Sequence, residues 1–310
     1  MPTQTIATLT VENQTFYDRT LLERQLPELH LYKDAKKKMI PNGKGTSIEW
    51  RKFGALKVPT QSLTEGVTPA GSDLDITAIT ATLRQEGDFV RMSDVLEMAA
   101  KDPVITEASE LLGEQSAQTL ETRIIDAVTV GTNVQYANGK TSRDAITITD
   151  TSKGMDVKKA VRTLRKCNIK PFSDGYYHAY IDAEQGFDLM NDTEAGGWLD
   201  ANKYTDKLPL LKGEIGKYGG VRFMESSLVK KETNAGGVEC HLGLIYGKDS
   251  YGVPEIEKGG AKAKVIVKAK GSAGSEDPLD QRSSVGWKSM FTAKILEQLG
   301  IVRLETAVSN

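Results

Sequence analysis

Apolar and polar positions follow two different periods along this chain, and the longest helical stretch organises the rest. From Ser93 to Val130 the sequence reads SDVLEMAAKDPVITEASELLGEQSAQTLETRIIDAVTV. Val104, Ala108, Leu111, Leu120, Ile124, Ala127 and Val128 recur in it at helical spacing. Asp102 is a good N-cap, and Pro103 falls at the first helical position, where its missing N–H costs nothing. Gly131 supplies the stop. The spacing predicts a helix over 103–130, and at about 1.5 Å per residue it spans roughly 40 Å. Its middle, Gly113 to Thr119, is polar on nearly every face. A helix apolar at both ends and polar at its centre reads as a strut, each end packed on different structure.

On the N-terminal side, residues 1–45 hold too few apolar residues for a core of their own. Leu21, Leu22, Leu26 and Leu29 make a turn or two broken at Pro27, followed by a basic run from Lys33 to Lys38. Such a segment reads as an arm that needs something to lie on. Residues 46–93 switch to a period of two, with Ile48 and Trp50 set against Glu49 and Arg51. Alternation resumes from Leu74 to Met92, and the stretch between carries Pro59, Gly66, Pro69 and Gly71. Two long strands joined by a loop of about 20 residues predict a hairpin that projects and lies on a neighbour. Its tip, with Leu63, Glu65, Gly66, Val67 and Pro69, is the candidate inter-subunit contact.

Residues 94–195 continue in α+β order. After the long helix come a short strand at Ile146–Thr149 and a helix at Met155–Cys167, with Val157, Ala160, Val161 and Leu164 on one face and lysines and arginines on the other. A strand at Tyr176–Ile181 and a helix near Ala183–Met190 follow. Over 196–271 glycine becomes dense and strands shorten to Val221–Glu225, Val238–Tyr246 and Ala263–Ala269, which predicts a second sub-domain. Lys262, Lys264, Lys268 and Lys270 share one face of the last strand. That basic face suits either a phosphate backbone or, more ordinarily, a solvated edge whose lysines block unwanted pairing. Residues 272–310 close with strands at Trp287–Ala293 and Ile301–Thr306, expected to return to the first α+β sheet with Trp287 and Phe291 buried against helix.

Composition narrows the function. The 310 residues are 39% hydrophobic and 26% charged, which marks a globular chain, and the net charge of −2 argues against a dedicated nucleic-acid binder. No apolar run is long enough to span a membrane, and the first residues do not read as a secretory signal. Cys167 and Cys240 read as buried free thiols, and His30, His178 and His241 are scattered with no metal-ligand spacing. Gly139-Lys140-Thr141 fails as a phosphate loop because Val134 stands where the motif needs glycine. The glycine-rich run Gly213 to Gly220 is no dinucleotide fingerprint, and there is no nucleophile elbow. No catalytic residue, cofactor or metal is expected, and the chain is not read as an enzyme.

Four phrases in order carry a resemblance. They are Leu63-Thr64-Glu65-Gly66-Val67-Thr68-Pro69; Gly213-Glu214-Ile215-Gly216 with Gly219-Gly220-Val221-Arg222-Phe223; Gly247-Lys248-Asp249-Ser250-Tyr251-Gly252; and Asp277-Pro278-Leu279-Asp280-Gln281-Arg282 followed by Val285-Gly286-Trp287-Lys288. Together they resemble the major capsid proteins of tailed bacteriophages, which share their fold with herpesvirus capsids. The resemblance implies an α+β fold with an N-terminal arm (1–45), an extended two-stranded loop (46–93), a peripheral domain (94–195) with a spine helix at 103–130, an axial domain (196–271) and a return to the peripheral sheet (272–310). It implies a structural protein that assembles with itself as hexamers and pentamers into an icosahedral head around double-stranded DNA. Scaffolding, portal and decoration proteins are the implied partners, packaged DNA is touched only weakly and without specificity, and no membrane is involved. The implied location is the virion, after assembly in the host cytoplasm. A nanocompartment shell of the same fold and a soluble nucleotide-binding enzyme are the competing readings.

Overall fold

The computed structural model describes residues 30–41, 45–56, 71–94, 104–192, 198, 214–256, 264–272 and 278–309, with residues 58, 62, 65, 66 and 68 of the intervening loop. A short helix α1 (His30–Asp34) leads into strand β1 (Lys36–Ile40), then β2 (Ser47–Phe53), β3 (Ile76–Thr82) and β4 (Arg84–Ser93). Helix α2 (Val104–Thr129) follows, then β5 (Val134–Tyr136), helix α3 (Gly154–Lys166), β6 (Tyr177–Ile181) and helix α4 (Ala183–Met190). The rest is strand: β7 (Glu214–Tyr218), β8 (Val221–Glu225), β9 (Lys231–Thr233), β10 (Glu239–Tyr246), β11 (Tyr251–Ile256), β12 (Lys264–Lys268), β13 (Arg282–Phe291), β14 (Lys294–Ile295) and β15 (Ile301–Thr306).

The largest sheet has seven strands in the order β5-β15-β10-β6-β8-β7, with β9 paired to β10. Every residue of β6 is buried, as befits a central strand covered on both faces. On one face, Val157, Ala160, Val161 and Leu164 of α3 pack on Tyr177, Ala179, Ile181, Phe223 and Ile245. On the other, Leu120, Ile124 and Val128 of α2 pack on Tyr180, Leu244, Tyr246 and Ile301, with Leu31 of α1 in the same cluster. The N-terminal half of α2 sits elsewhere. Ala108 and Leu112 pack on Met92, Val265, Val285 and Trp287, residues of the antiparallel sheet β12-β13-β4. One 26-residue helix thus serves two cores.

Several expectations need correction. The centre of α2 is not polar all round: Ser116 and Ala117 are buried, and the stripe continues through Leu120, Glu121, Ile124 and Val128. Small residues keep it narrow, and the Ser116 hydroxyl donates to the Gly113 carbonyl at 2.8 Å, so that buried hydroxyl is not stranded. Leu111 is 64% exposed, and Leu112 takes the inward position. Residues 146–149 form a turn, not a strand: the Asp150 carboxylate accepts the Thr147 N–H at 2.8 Å and its hydroxyl at 2.7 Å. Strand pairing between β2 and β3 ends at Thr82, and β4 turns away to pair with β13. Strands from both sides of the boundary expected near residue 195 share the seven-stranded sheet, and the closing strands divide, β13 to the three-stranded sheet and β15 to the large one. Cys240 is buried but Cys167 only half-buried. Asp102 and Pro103 lie outside the described residues.

Candidate assembly surfaces

The hairpin of β2 and β3 is a sheet of two strands only. Its base is anchored where Ile40, Ile48, Trp50, Ala81 and Leu83 form a small core. Beyond that base the apolar side chains face solvent: Phe53, Leu56, Val58, Leu74 and Ile76 are 51–83% exposed. Glu65 and Gly66 form an exposed turn, and Gly66 has φ +78°, a left-handed conformation that glycine adopts without strain. Leu63, Val67 and Pro69 of the expected contact lie outside the described residues. Sequence reasoning singled out the tip and missed the stalk. The available signal was the set of large apolar residues Phe53, Leu56, Val58, Leu74 and Ile76 flanking a loop rich in proline and glycine.

The basic face is broader than one strand. Lys264 and Lys268 are exposed on β12, Lys270 is half-buried just beyond it, and Lys262 lies outside the described residues. Register brings Lys288 opposite Lys264, Ser284 opposite Lys268, and Arg91 opposite Ser284. Alternation therefore puts Lys264, Lys268, Lys288, Arg91 and Arg282 on the sheet face turned away from α2. Phe89 lies among them, 55% exposed, with the Arg91 guanidinium 5.1 Å from its ring centre. Ile266, Lys268, Phe89, Arg91 and Arg282 line a shallow groove of about 480 Å³ here. Glu86 and Asp88 line the same groove, so its charge is mixed.

A buried polar network holds residues 30–35 on the core. Glu121 of α2 is fully buried, and its carboxylate accepts the Leu31 N–H at 3.0 Å. Burial pushes its pKa up to about 7, against the pull of the N–H groups of Leu31, Tyr32 and His30, and the nearby Asp34 adds to the rise. The Tyr251 hydroxyl donates to the Leu31 carbonyl at 2.6 Å, and that of Tyr246 to Asp34 at 2.9 Å. His178 lies 2.6 Å from Asp34 and 3.2 Å from Asp174, stacked at 4.0 Å on Phe172. Burial alone would lower its pKa, but Asp34 and then Asp174 hold it above the ordinary histidine value. Trp287 and Phe291 are both buried, and the Trp287 indole N–H donates to Gln115 of α2 at 3.0 Å. At the far edge of the large sheet, Arg143 donates to both oxygens of the buried Glu305, at 2.6 and 2.8 Å.

Comparison with known proteins is consistent in one direction. A family model described as phage capsid protein matches residues 76–304. Among solved structures, the chain is similar to the capsid of Ralstonia phage GP4, with a TM-score of 0.71 at 13% identity over 89% of this chain and 87% of that one. It is similar to the capsid of cyanophage P-SCSP1u, with a TM-score of 0.65 at 16% identity over 90% and 88%. The capsid of Helicobacter pylori bacteriophage KHP30 gives 0.64 at 15% identity over 88% of each chain. At these identities the likeness establishes the fold. No curated protein sequence matches the chain.

Proposed function

The chain belongs to the phage capsid protein family and is a structural protein of the virion shell, and we propose how its surfaces serve that shell. Copies join as hexamers and pentamers into an icosahedral head around double-stranded DNA, assembled in the host cytoplasm. Residues 46–82 act as the extended loop and lie on a neighbouring subunit. The observation that carries this reading is the exposed run Phe53, Leu56, Val58, Leu74 and Ile76 on an otherwise isolated hairpin. A two-stranded ribbon is marginal alone, and contiguous exposed apolar surface of this kind marks an interaction site. Helix α2 serves as the spine of a peripheral domain with the β12-β13-β4 sheet. The seven-stranded sheet with α3 and α4 is the axial domain, so that domain begins well before residue 196. Scaffolding, portal and decoration proteins are further partners, and the basic face touches DNA weakly.

The test is assembly itself. The full chain should form closed shells in negative-stain images, and a chain lacking residues 60–71 should remain a folded subunit that forms none. Shells of normal number and stability from the shortened chain would refute the loop's role. Absorbance at 260 nm of shells recovered from infected cells separates a DNA container from a protein-filled compartment.

A further inference from the structure

A cluster of titratable side chains stands apart from these surfaces, where the start of β10 meets the start of α4. Asp182 precedes α4 and Glu184 lies in its first turn. His241 and Glu239 are two residues apart on β10, hence on one face, and Lys231 of β9 lies directly across from His241. His241 is wholly buried, and neither ring nitrogen makes a well-aligned hydrogen bond; nor does Oδ2 of Asp182. Its surroundings are nonetheless donor-rich. Nδ1 stands 2.7 Å from Asp182 Oδ2, and Nε2 stands 3.4 Å from Glu184 Oε2 and 3.3 Å from Glu239 Oε1. Asp182, Glu184 and His241 each offer a ligand atom within 4.8 Å of the others.

These separations have a simple meaning. Two ligand atoms bound at about 2.0–2.1 Å in a tetrahedron lie about 3.3 Å from each other, the spacing between Nε2 and each glutamate oxygen. A carboxylate beside Nδ1 is the usual means of fixing which nitrogen faces a metal. One imidazole with carboxylates suits zinc and its neighbours, whereas calcium and magnesium prefer oxygen alone. Glu184 and Glu239 have side chains 53% and 56% exposed, which gives an ion a way in. Among the described residues, Lys231 is the ammonium that balances the three carboxylates here, 3.2 Å from Asp182, 3.8 Å from Glu184 and 3.6 Å from Glu239. It holds the place of a cation and would compete with one.

We propose that His241 Nε2 and Glu184, joined by the exposed Glu239 side chain as it swings in from 3.3 Å beside Nε2, bind a divalent cation of the zinc class, with Asp182 positioning the imidazole from its Nδ1 side. Bound there, the ion ties the start of β10 to α4 and stabilises the subunit increasingly as free metal rises above its Kd. The experiment uses the full chain, stripped with EDTA, equilibrated with zinc sulfate, gel-filtered and assayed for metal. Stoichiometric zinc is expected, together with the visible absorption of tetrahedral cobalt when Co²⁺ replaces it. The double variant Glu184→Gln/Glu239→Gln, altered only at exposed side chains, should bind at least about tenfold more weakly, and Lys231→Met should bind more tightly. Substoichiometric zinc in the parent chain overturns the proposal. So does zinc bound equally well by parent and double variant, which would place the ion elsewhere.

Discussion

Glu121 offers the sharpest test of how the N-terminal segment is held. Its carboxyl is fully buried in the middle of α2 and faces the start of α1. A glutamate raised from 4.5 to about 7 carries a penalty on its ionised form of about 3 kcal/mol. The sign follows from proton counting. Between pH 4.5 and about 7 the folded chain holds a proton on Glu121 that the unfolded chain has lost. Stability therefore falls as pH rises through this window, and the loss is complete above it. His178 works in the same direction, since its raised pKa gives stability below the ordinary histidine pKa that is lost as pH rises through the higher, folded-state value. The variant Glu121→Gln isolates the first contribution: its amide oxygen still accepts the Leu31 N–H, and it cannot ionise. Urea unfolding of the unassembled subunit at intervals from pH 5 to 8.5, followed by tryptophan fluorescence, gives the free energy at each pH. The parent chain should lose about 3 kcal/mol more than Glu121→Gln across that range. Parallel curves for the two proteins would refute the reasoning, because they would mean that Glu121 ionises no less readily when folded than when unfolded.

Three other substitutions probe the smaller core, its strand pairing and the edge of the large sheet. Trp287→Ala removes a buried indole and its hydrogen bond to Gln115, so it should cost about 3–5 kcal/mol and give misfolded subunits; a native-like melt with failed assembly would move Trp287 to an interface. Gly87→Ala would put a Cβ 2.4 Å from the Trp287 carbonyl oxygen, and forcing β4 from β13 should cost about 1–3 kcal/mol; a melting temperature equal to the parent's would show that the strands separate freely there. Arg143→Met leaves Glu305 fully buried with Arg303, at 2.8 Å, as its remaining close cation, and should cost about 3 kcal/mol. A cost below about 1 kcal/mol in urea titration would show that Arg303 alone satisfies the carboxylate.

Much of the fold was legible because its periods are clean. The helix expected over 103–130 is observed as Val104–Thr129, and that expected at 155–167 as Gly154–Lys166. Both carry apolar stripes set by packing on a sheet. What the local pattern did not give was which strands after residue 213 join the sheet of β6, although the return of β15 to that sheet was expected. The short strands after residue 213 have the glycine density of a separate unit, yet β8 pairs with 177–181 and β10 with both 177–181 and 301–306, and β7 and β9 join the same sheet through β8 and β10. Pairing is decided by register across distant segments, which a local pattern does not encode. The cluster at His241 escaped for the same reason. Asp182 and Glu184 are more than fifty residues from Glu239 and His241, and only the adjacency of β6 and β10 brings them together.

The hairpin of β2 and β3 stands apart from the other elements. Every long element of the described chain except the hairpin packs on one of the helices: α3 on the large sheet, α2 on both the large sheet and the β12-β13-β4 sheet. The hairpin's outer part has no helix, and its apolar side chains from Phe53 to Ile76 are left at the surface. Burying one such side chain contributes about 1.5–3 kcal/mol, so several together supply a large fraction of the stability of a typical domain. Left exposed, they would favour uncontrolled association. On the proposed reading they are unfavourable only in the isolated subunit, and the shell is the state in which this sequence finishes burying its apolar surface.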